Sequence, residues 1–288
     1  MLKTLLCYMN TRQLIQDKYI KVGSINTRYW SIGTQGAPMI LLHGGGGSIE
    51  VWVYTVRELA QHYRVFAFDM VGTGLSDKPV VPYSLDYQLQ FVSKFLDILD
   101  IQQASFIGHS MGGSIALKLA LESPERVQKL GLISSFGLGR EIDIYDRLLA
   151  AFPAIANLIP PSRSGVRWVL NSCVHNPKSV PEEWVEIGFQ RFNLPGQREA
   201  LMSLLTTNLD FWGVRREVFS PIVQQLEHIK VPTLVIWGKQ DSIIPVAHAY
   251  VASQKIPNAS LHIFERCGHW PQVEYPKEFN HLVSEFLA

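Results

Sequence analysis

Charge of one sign, cysteine and long apolar runs are all scarce in this sequence, and each shortage excludes something. Charged residues are 18% of the 288 and nearly cancel, leaving a formal net charge of +1. A chain with no basic stripe lacks the electrostatic footprint of a nucleic-acid binder. No apolar run approaches the ~18 to 20 residues that cross a bilayer. The opening "MLKTLLCYMNTRQ" carries one Lys and a brief apolar patch. That patch is too short for a signal-peptide core and has no small-residue cleavage site, so a cytoplasmic location is expected. Cys7, Cys173 and Cys267 are few, odd in number and far apart, without metal-ligand spacing. They read as reduced thiols. There is no metal site to expect, no dinucleotide fingerprint, and no Lys-Ser/Thr after the glycine run to make a phosphate loop.

What the sequence does have is alternation. "PMILLHG" (38–44), "RVFAFDM" (64–70), "ASFIGHS" (104–110), "VQKLGLISS" (127–135), "PTLVIWG" (232–238) and "SLHIFERC" (260–267) are short apolar runs ending in Gly or polar residues. Between them lie "EVWVYTVRELAQH", "SLDYQLQFVSKFLDILD", "MGGSIALKLALES" and "VAHAYVASQK", with apolar spacing near 3.6. Continuous apolar strands interleaved with helices imply an α/β fold with a mostly parallel sheet covered on both faces. "KYIKVGSINTRYWSIG" instead alternates and turns near Gly23–Asn26, as an antiparallel hairpin at the sheet edge does. The alternation stops over about 137–220, where Trp- and Phe-rich helical stretches are broken by Pro and Gly. A crossover needs only a dozen or so residues. The expectation is therefore a core of 1–136 and 221–288 with a helical cap, 137–220, inserted after one strand and no strand within it.

"FIGHSMGG" places Ser110 between a strand and a helix, with Gly108 two residues before and Gly112 two after. A helix cap needs no such glycines. A sharp strand–turn–helix that exposes one side chain above the sheet does, because backbones meet there. A Ser hydroxyl is a weak nucleophile without a base. "ERCGHWPQVE" puts His269, and "WGKQDSIIP" puts Asp241, just beyond strands whose C-terminal ends open on the same edge. Asp143, after the strand at 127–135, is an alternative acid. His262, His228 and His248 fall within strand or helix patterns and suit packing or the surface. "LLHGGGGS" follows another strand; His43 ends that strand, and the glycines free backbone N–H groups to face a small anion. The amides of Gly45 and Met111 are the expected oxyanion donors, with Gly44 and Gly46 bordering the substrate. In "DMVGTGLSDKP" (69–79), Asp69 and Asp77 read as members of a tight turn, Asp77 and Ser76 bonding backbone, rather than as paired catalytic carboxylates.

Taken together, "LLHGGGGS", "FAFDMVGTGLSD", "FIGHSMGG", "WGKQDSIIP" and "CGHWPQVE" resemble the α/β-hydrolase superfamily along nearly the whole chain. Among its members the sequence looks most like the meta-cleavage-product hydrolases, which break C–C bonds of vinylogous diketones, and like related carboxylesterases. The resemblance implies an eight-stranded sheet, a Ser110–Asp241–His269 triad, an acyl-enzyme, and no cofactor. It implies that Trp270, after the histidine, meets substrate, and that a cap arginine holds the keto-acid end. Arg191 is the first counterpart and Arg198 the second. His109 stands where that family has Asn, and Gly47 or a neighbour where it has Pro. An ester- or lactone-opening enzyme accommodates both. The partner expected is a small, largely apolar carbonyl compound, with no nucleic acid or membrane and room for a homodimer. A non-catalytic small-molecule receptor on the same scaffold is the alternative.

Overall fold

The computed structural model describes residues 15–156, 158 and 160–288. Cys7 and the N-terminal apolar patch lie outside the described residues. The chain enters through β1 (Lys18–Val22) and β2 (Ile25–Ile32), an antiparallel hairpin whose turn uses Gly23 at φ +62°. β3 (Pro38–Leu42), the short α1 (Val56–Leu59) and β4 (Arg64–Phe68) follow. Then come α2 (Leu85–Ile98), β5 (Ala104–His109), α3 (Met111–Glu122) and β6 (Val127–Ile133). In α2, Ser84 caps the first turn by accepting from Tyr87 N, and Leu85, Leu89, Val92 and Leu96 recur on the buried face.

Between β6 and the next strand of the main sheet the chain inserts α4 (Ile144–Ala151), α5 (Pro153–Ala156), α6 (Arg163–Ser172), α7 (Glu182–Phe192) and α8 (Gln197–Asn208). The expectation of a purely helical insertion needs one correction. β7 (Leu209–Asp210) and β8 (Gly213–Val214) pair antiparallel around Phe211 and Trp212. With two residues each, they are too short to show a period in sequence. α9 (Arg216–Gln225), β9 (Thr233–Gly238), α10 (Ala247–Lys255), β10 (Ala259–Phe264), α11 (Pro271–Glu274) and α12 (Pro276–Leu287) complete the chain.

The main sheet has eight strands in the order β1-β2-β4-β3-β5-β6-β9-β10. All pairings from β4 to β10 are parallel, and the two at the β1–β2 end are antiparallel. Every residue of β5 and β9 is buried, as expected where helices cover both faces. One apolar core lies on each face of the sheet. The crossovers bring the C-terminal ends of β3, β4, β5, β9 and β10 to one edge, and the insertion sits over it. No helix among the described residues is long and apolar enough to cross a membrane.

Candidate active site

β5 delivers Ser110 to that edge at φ +54°, ψ −121°, a conformation that non-glycine residues rarely adopt. The turn is over-determined. Ser110 N donates to Ile133 O at 2.8 Å, and Ser110 O accepts from Gly113 N at 2.9 Å and Phe136 N at 3.0 Å. A Cβ at Gly108 would stand 2.3 Å from Gly112 O, and one at Gly112 would stand 2.4 Å from Leu42 O. The two glycines are therefore required by close approach of backbone, which holds the strain at Ser110 in place.

The β9 and β10 loops bring the other two candidates together. His269 Nδ1 lies 2.8 Å from Asp241 Oδ2. Asp241 Oδ1 accepts from Ile243 N and Ile244 N, both at 2.9 Å. Asp241 thus closes its own turn with one oxygen and orients the imidazole with the other. Asp143 makes no comparable contact with His269; its Oδ1 caps α4 by accepting from Tyr145 N and Asp146 N. His269 and Ser110 border the same cavity, about 650 Å³ in volume. Among the described residues no hydrogen bond joins the Ser110 hydroxyl to His269; in catalytic sites such contacts commonly tighten when substrate binds.

His109, beside Ser110, is buried against His269, with ring centroids 4.6 Å apart. Its Nε2 lies 3.0 Å from His269 O. A carbonyl only accepts, so Nε2 carries the proton and Nδ1 is left as an acceptor. Burial, then the neighbouring His269, keeps the His109 pKa well below the usual imidazole value, so the ring is neutral. From the end of β5 it pins the main chain of His269, in the loop after β10.

The glycine loop is set by His43. Met70 N donates to Nε2 at 3.0 Å, so Nδ1 bears the hydrogen and donates to Gly44 O at 2.7 Å. Gly47 N donates to the same oxygen at 3.2 Å. The Gly44 carbonyl is thereby committed to the interior. A Cβ on Gly44 would stand 2.9 Å from Ser110 Cβ, which shows how closely the loop passes the serine. Gly45 and Gly46 continue along the cavity, and Gly46 takes φ +66°. Met111 opens α3, where the first N–H groups have no helical acceptor. Gly45 and Met111 therefore flank the position of Ser110. Trp270 also borders the cavity and meets Trp184 of α7 edge to face at 5.7 Å.

Arg191, on α7, reaches the cavity border but is not open there. Its NH1 and NH2 donate to Glu50 Oε2 and Oε1 at 2.6 and 2.5 Å. Glu50 also accepts from Arg28 NH2 at 2.7 Å, and Arg28 further contacts Asp17 at 3.0 Å and Asp69 at 3.2 Å. The two guanidinium groups outweigh burial and hold the Glu50 carboxyl well below the ordinary carboxylate range. Asp69 also accepts from Ile49 N and Leu75 N, and Asp77 from Asn26 N, so these carboxylates serve backbone and Arg28. Arg198 borders the cavity as well.

Three features went unread in the sequence. Glu50 is one acid inside the apolar run "IEVW", a signal only in hindsight of its burial. Glu274 accepts from Gly268 N at 2.6 Å, His175 N at 3.0 Å and Asn176 N at 2.9 Å, tying the histidine loop to the insertion. His269 N adds a bond to Cys173 O at 2.8 Å. Asp146 borders the cavity beside Asp143, and burial together with that carboxylate pushes its pKa up to about 8. Cys173 and Cys267 are free thiols. Burial first, and then nearby carboxylates, push both thiol pKa values well above the ordinary range, so neither offers a thiolate nucleophile at neutral pH.

A serine at a strained strand–helix turn and a histidine held by an aspartate, both bordering one cavity over this sheet, define a class: the α/β hydrolases. The chain belongs to the α/β-hydrolase fold family, whose pattern it matches over residues 37–156 and 145–276. It is 33% identical to a 2-hydroxymuconate semialdehyde hydrolase of Pseudomonas sp. strain CF600, over 88% of this chain and 87% of that one. A solved meta-cleavage product hydrolase of Pseudomonas fluorescens IP01 superposes with a TM-score of 0.81 at 29% identity, covering 94% of this chain and 97% of that one. A putative lipase of Acinetobacter baumannii AYE superposes at 0.82 with 25% identity, covering 99% and 95%. The protein is thus a hydrolase of the meta-cleavage product hydrolase and esterase type.

Proposed function

We propose that this hydrolase cleaves an ester or an activated, β-diketone-type C–C bond of a small, largely apolar carbonyl compound through an acyl-enzyme on Ser110. The observation that carries the reading is His269, held by Asp241, on the border of the cavity that Ser110 also lines. Asp241 fixes the proton on Nδ1 and leaves the Nε2 lone pair free. Nε2 takes the Ser110 proton as Oγ bonds to the substrate carbonyl carbon. The amides of Gly45 and Met111 receive the oxyanion, each donor worth on the order of 3 kcal/mol of barrier. The tetrahedral adduct collapses, the leaving group departs with the proton from Nε2, and the acyl group stays on Oγ. Water, deprotonated by the same nitrogen, releases the acid. For a C–C substrate the departing carbon must first be ketonised, and His269 is placed to move that proton too. Residues 137–220 act as the lid, closing over the cleft, with Trp270 and the Gly44–Gly46 loop against substrate.

Stopped-flow turnover of p-nitrophenyl acyl esters tests the reading. The expected result is a burst of about one p-nitrophenol per active site followed by slower turnover, abolished in Ser110→Ala. Retained turnover in that variant contradicts it.

A further inference from the structure

An arginine at the border of a reaction cavity receives an anion only while its planar fork is open. Here both terminal nitrogens of Arg191 are taken by one carboxylate, Glu50, in a bidentate pair at 2.6 and 2.5 Å. Glu50 also borders the cavity, and its side chain is 7% exposed against 14% for Arg191. A second arginine, Arg28, holds it from beneath at 2.7 Å. Arg28 does not depend on Glu50 for charge compensation, because Asp69 and Asp17 lie at 3.2 and 3.0 Å from it. What Glu50 alone does is fill the fork of Arg191.

We propose that Glu50 is a specificity-determining residue: an internal carboxylate that takes both terminal nitrogens of Arg191 at the cavity border and selects uncharged substrates over those that carry a carboxylate. The inference rests on the serine-hydrolase reading above and narrows its substrate class. A carboxylate-ended substrate has two ways into such a site. It can displace Glu50, which strips a buried charge of its bidentate partner, or it can sit as a like charge beside the buried Glu50 carboxylate. An uncharged ester or lactone meets neither cost. Discrimination therefore comes from a repulsive element already in the pocket, which acts against one class of competitor only.

The test compares p-nitrophenyl butyrate with the mono-p-nitrophenyl ester of glutaric acid, which carries a carboxylate at the end of its acyl chain. The readout is the ratio of kcat/KM for the anionic ester to that for the neutral one. In the wild type the ratio is expected at about 0.01 or lower. In Glu50→Gln it rises at least about tenfold, and in Glu50→Gln/Arg191→Gln the gain is lost. A wild-type ratio near one, or a ratio that Glu50→Gln leaves unchanged or lowers, overturns the proposal. A second comparison needs no substitution. The wild type is inactivated with an alkyl fluorophosphonate and with the same probe ending in a carboxylate. The carboxylate probe is expected to react at least about tenfold more slowly. Equal rates at Ser110 overturn the role of Glu50 and leave the serine-hydrolase reading standing. Failure of both probes to modify Ser110 overturns that reading, and the inference with it.

Discussion

His269 Nδ1 and Asp241 Oδ2 are 2.8 Å apart, and both residues are buried. Asp241 spends its other oxygen on two amides of its own turn, so the carboxylate cannot swing away without breaking that turn. Asp241→Asn keeps an acceptor for Ile243 N and Ile244 N but favours the wrong imidazole tautomer. On hydrolysis of a p-nitrophenyl ester, kcat is expected to fall by about 10³- to 10⁴-fold. Chemical denaturation should show a stability change of less than about 1 kcal/mol. A fall in stability that matches the fall in activity would assign Asp241 a folding role only.

Gly108→Ala is expected to be severe for a reason of space. Its Cβ would meet Gly112 O at 2.3 Å and Gly112 C at 2.5 Å, both main-chain atoms that cannot yield without moving α3. Urea unfolding should register a loss of about 3 kcal/mol or more, or no folded protein. A change within about 0.5 kcal/mol would contradict the geometry of this turn.

Glu274 links two parts of the site that are distant in sequence. Removing its carboxylate in Glu274→Ala leaves Gly268 N without an acceptor and frees His175 and Asn176. Thermal or urea unfolding is expected to show a loss of about 2 kcal/mol. Because the bond to Gly268 sits beside His269, kcat should drop more than KM rises. Glu274→Gln, which keeps one carbonyl oxygen, should fall between. Wild-type kinetics in Glu274→Ala would show that this anchor does not position the histidine.

Asp146 gives a pH dependence with a definite sign. Its pKa is raised to about 8 by burial and by Asp143, from a model-compound value of 3.8. Between those two values the folded chain holds a proton there that the unfolded chain releases. Its contribution to stability is complete below the unfolded pKa and is lost as pH rises through the folded one. Asp146→Asn removes this dependence. The stability of the variant relative to wild type is therefore expected to rise from pH 5 to pH 8.5 in denaturant titrations. A difference that stays flat or falls over that range would mean that Asp146 is ionised in the fold.

These predictions differ in how early they could be made. The Ser110 turn is legible in sequence because its chemistry demands glycine at two fixed offsets, each forced by main-chain contact. Asp241 and His269 are legible because a parallel sheet sends the ends of β9 and β10 to the edge reached by β5. The edge hairpin shows through its alternation and its turn. The ionic network does not, since Glu50 meets partners 22 and 141 residues away and no local pattern encodes such a meeting. Arg191 is reached only through the family resemblance, with Arg198 as the second counterpart, and its occupancy by Glu50 is not reached at all. Glu274 is hidden for the same reason, binding amides 98 and 99 residues upstream.

The central claim is that the oxygen of Ser110 is the nucleophile, activated through His269. Its most direct test is intact-protein mass spectrometry after exposure to a neutral alkyl fluorophosphonate at pH 7.5, with peptide mapping of the adduct. The account predicts one phosphonyl group per chain, located on Ser110, absent in Ser110→Ala and formed far more slowly in His269→Ala. An adduct on another residue, or none in the wild type, would contradict it.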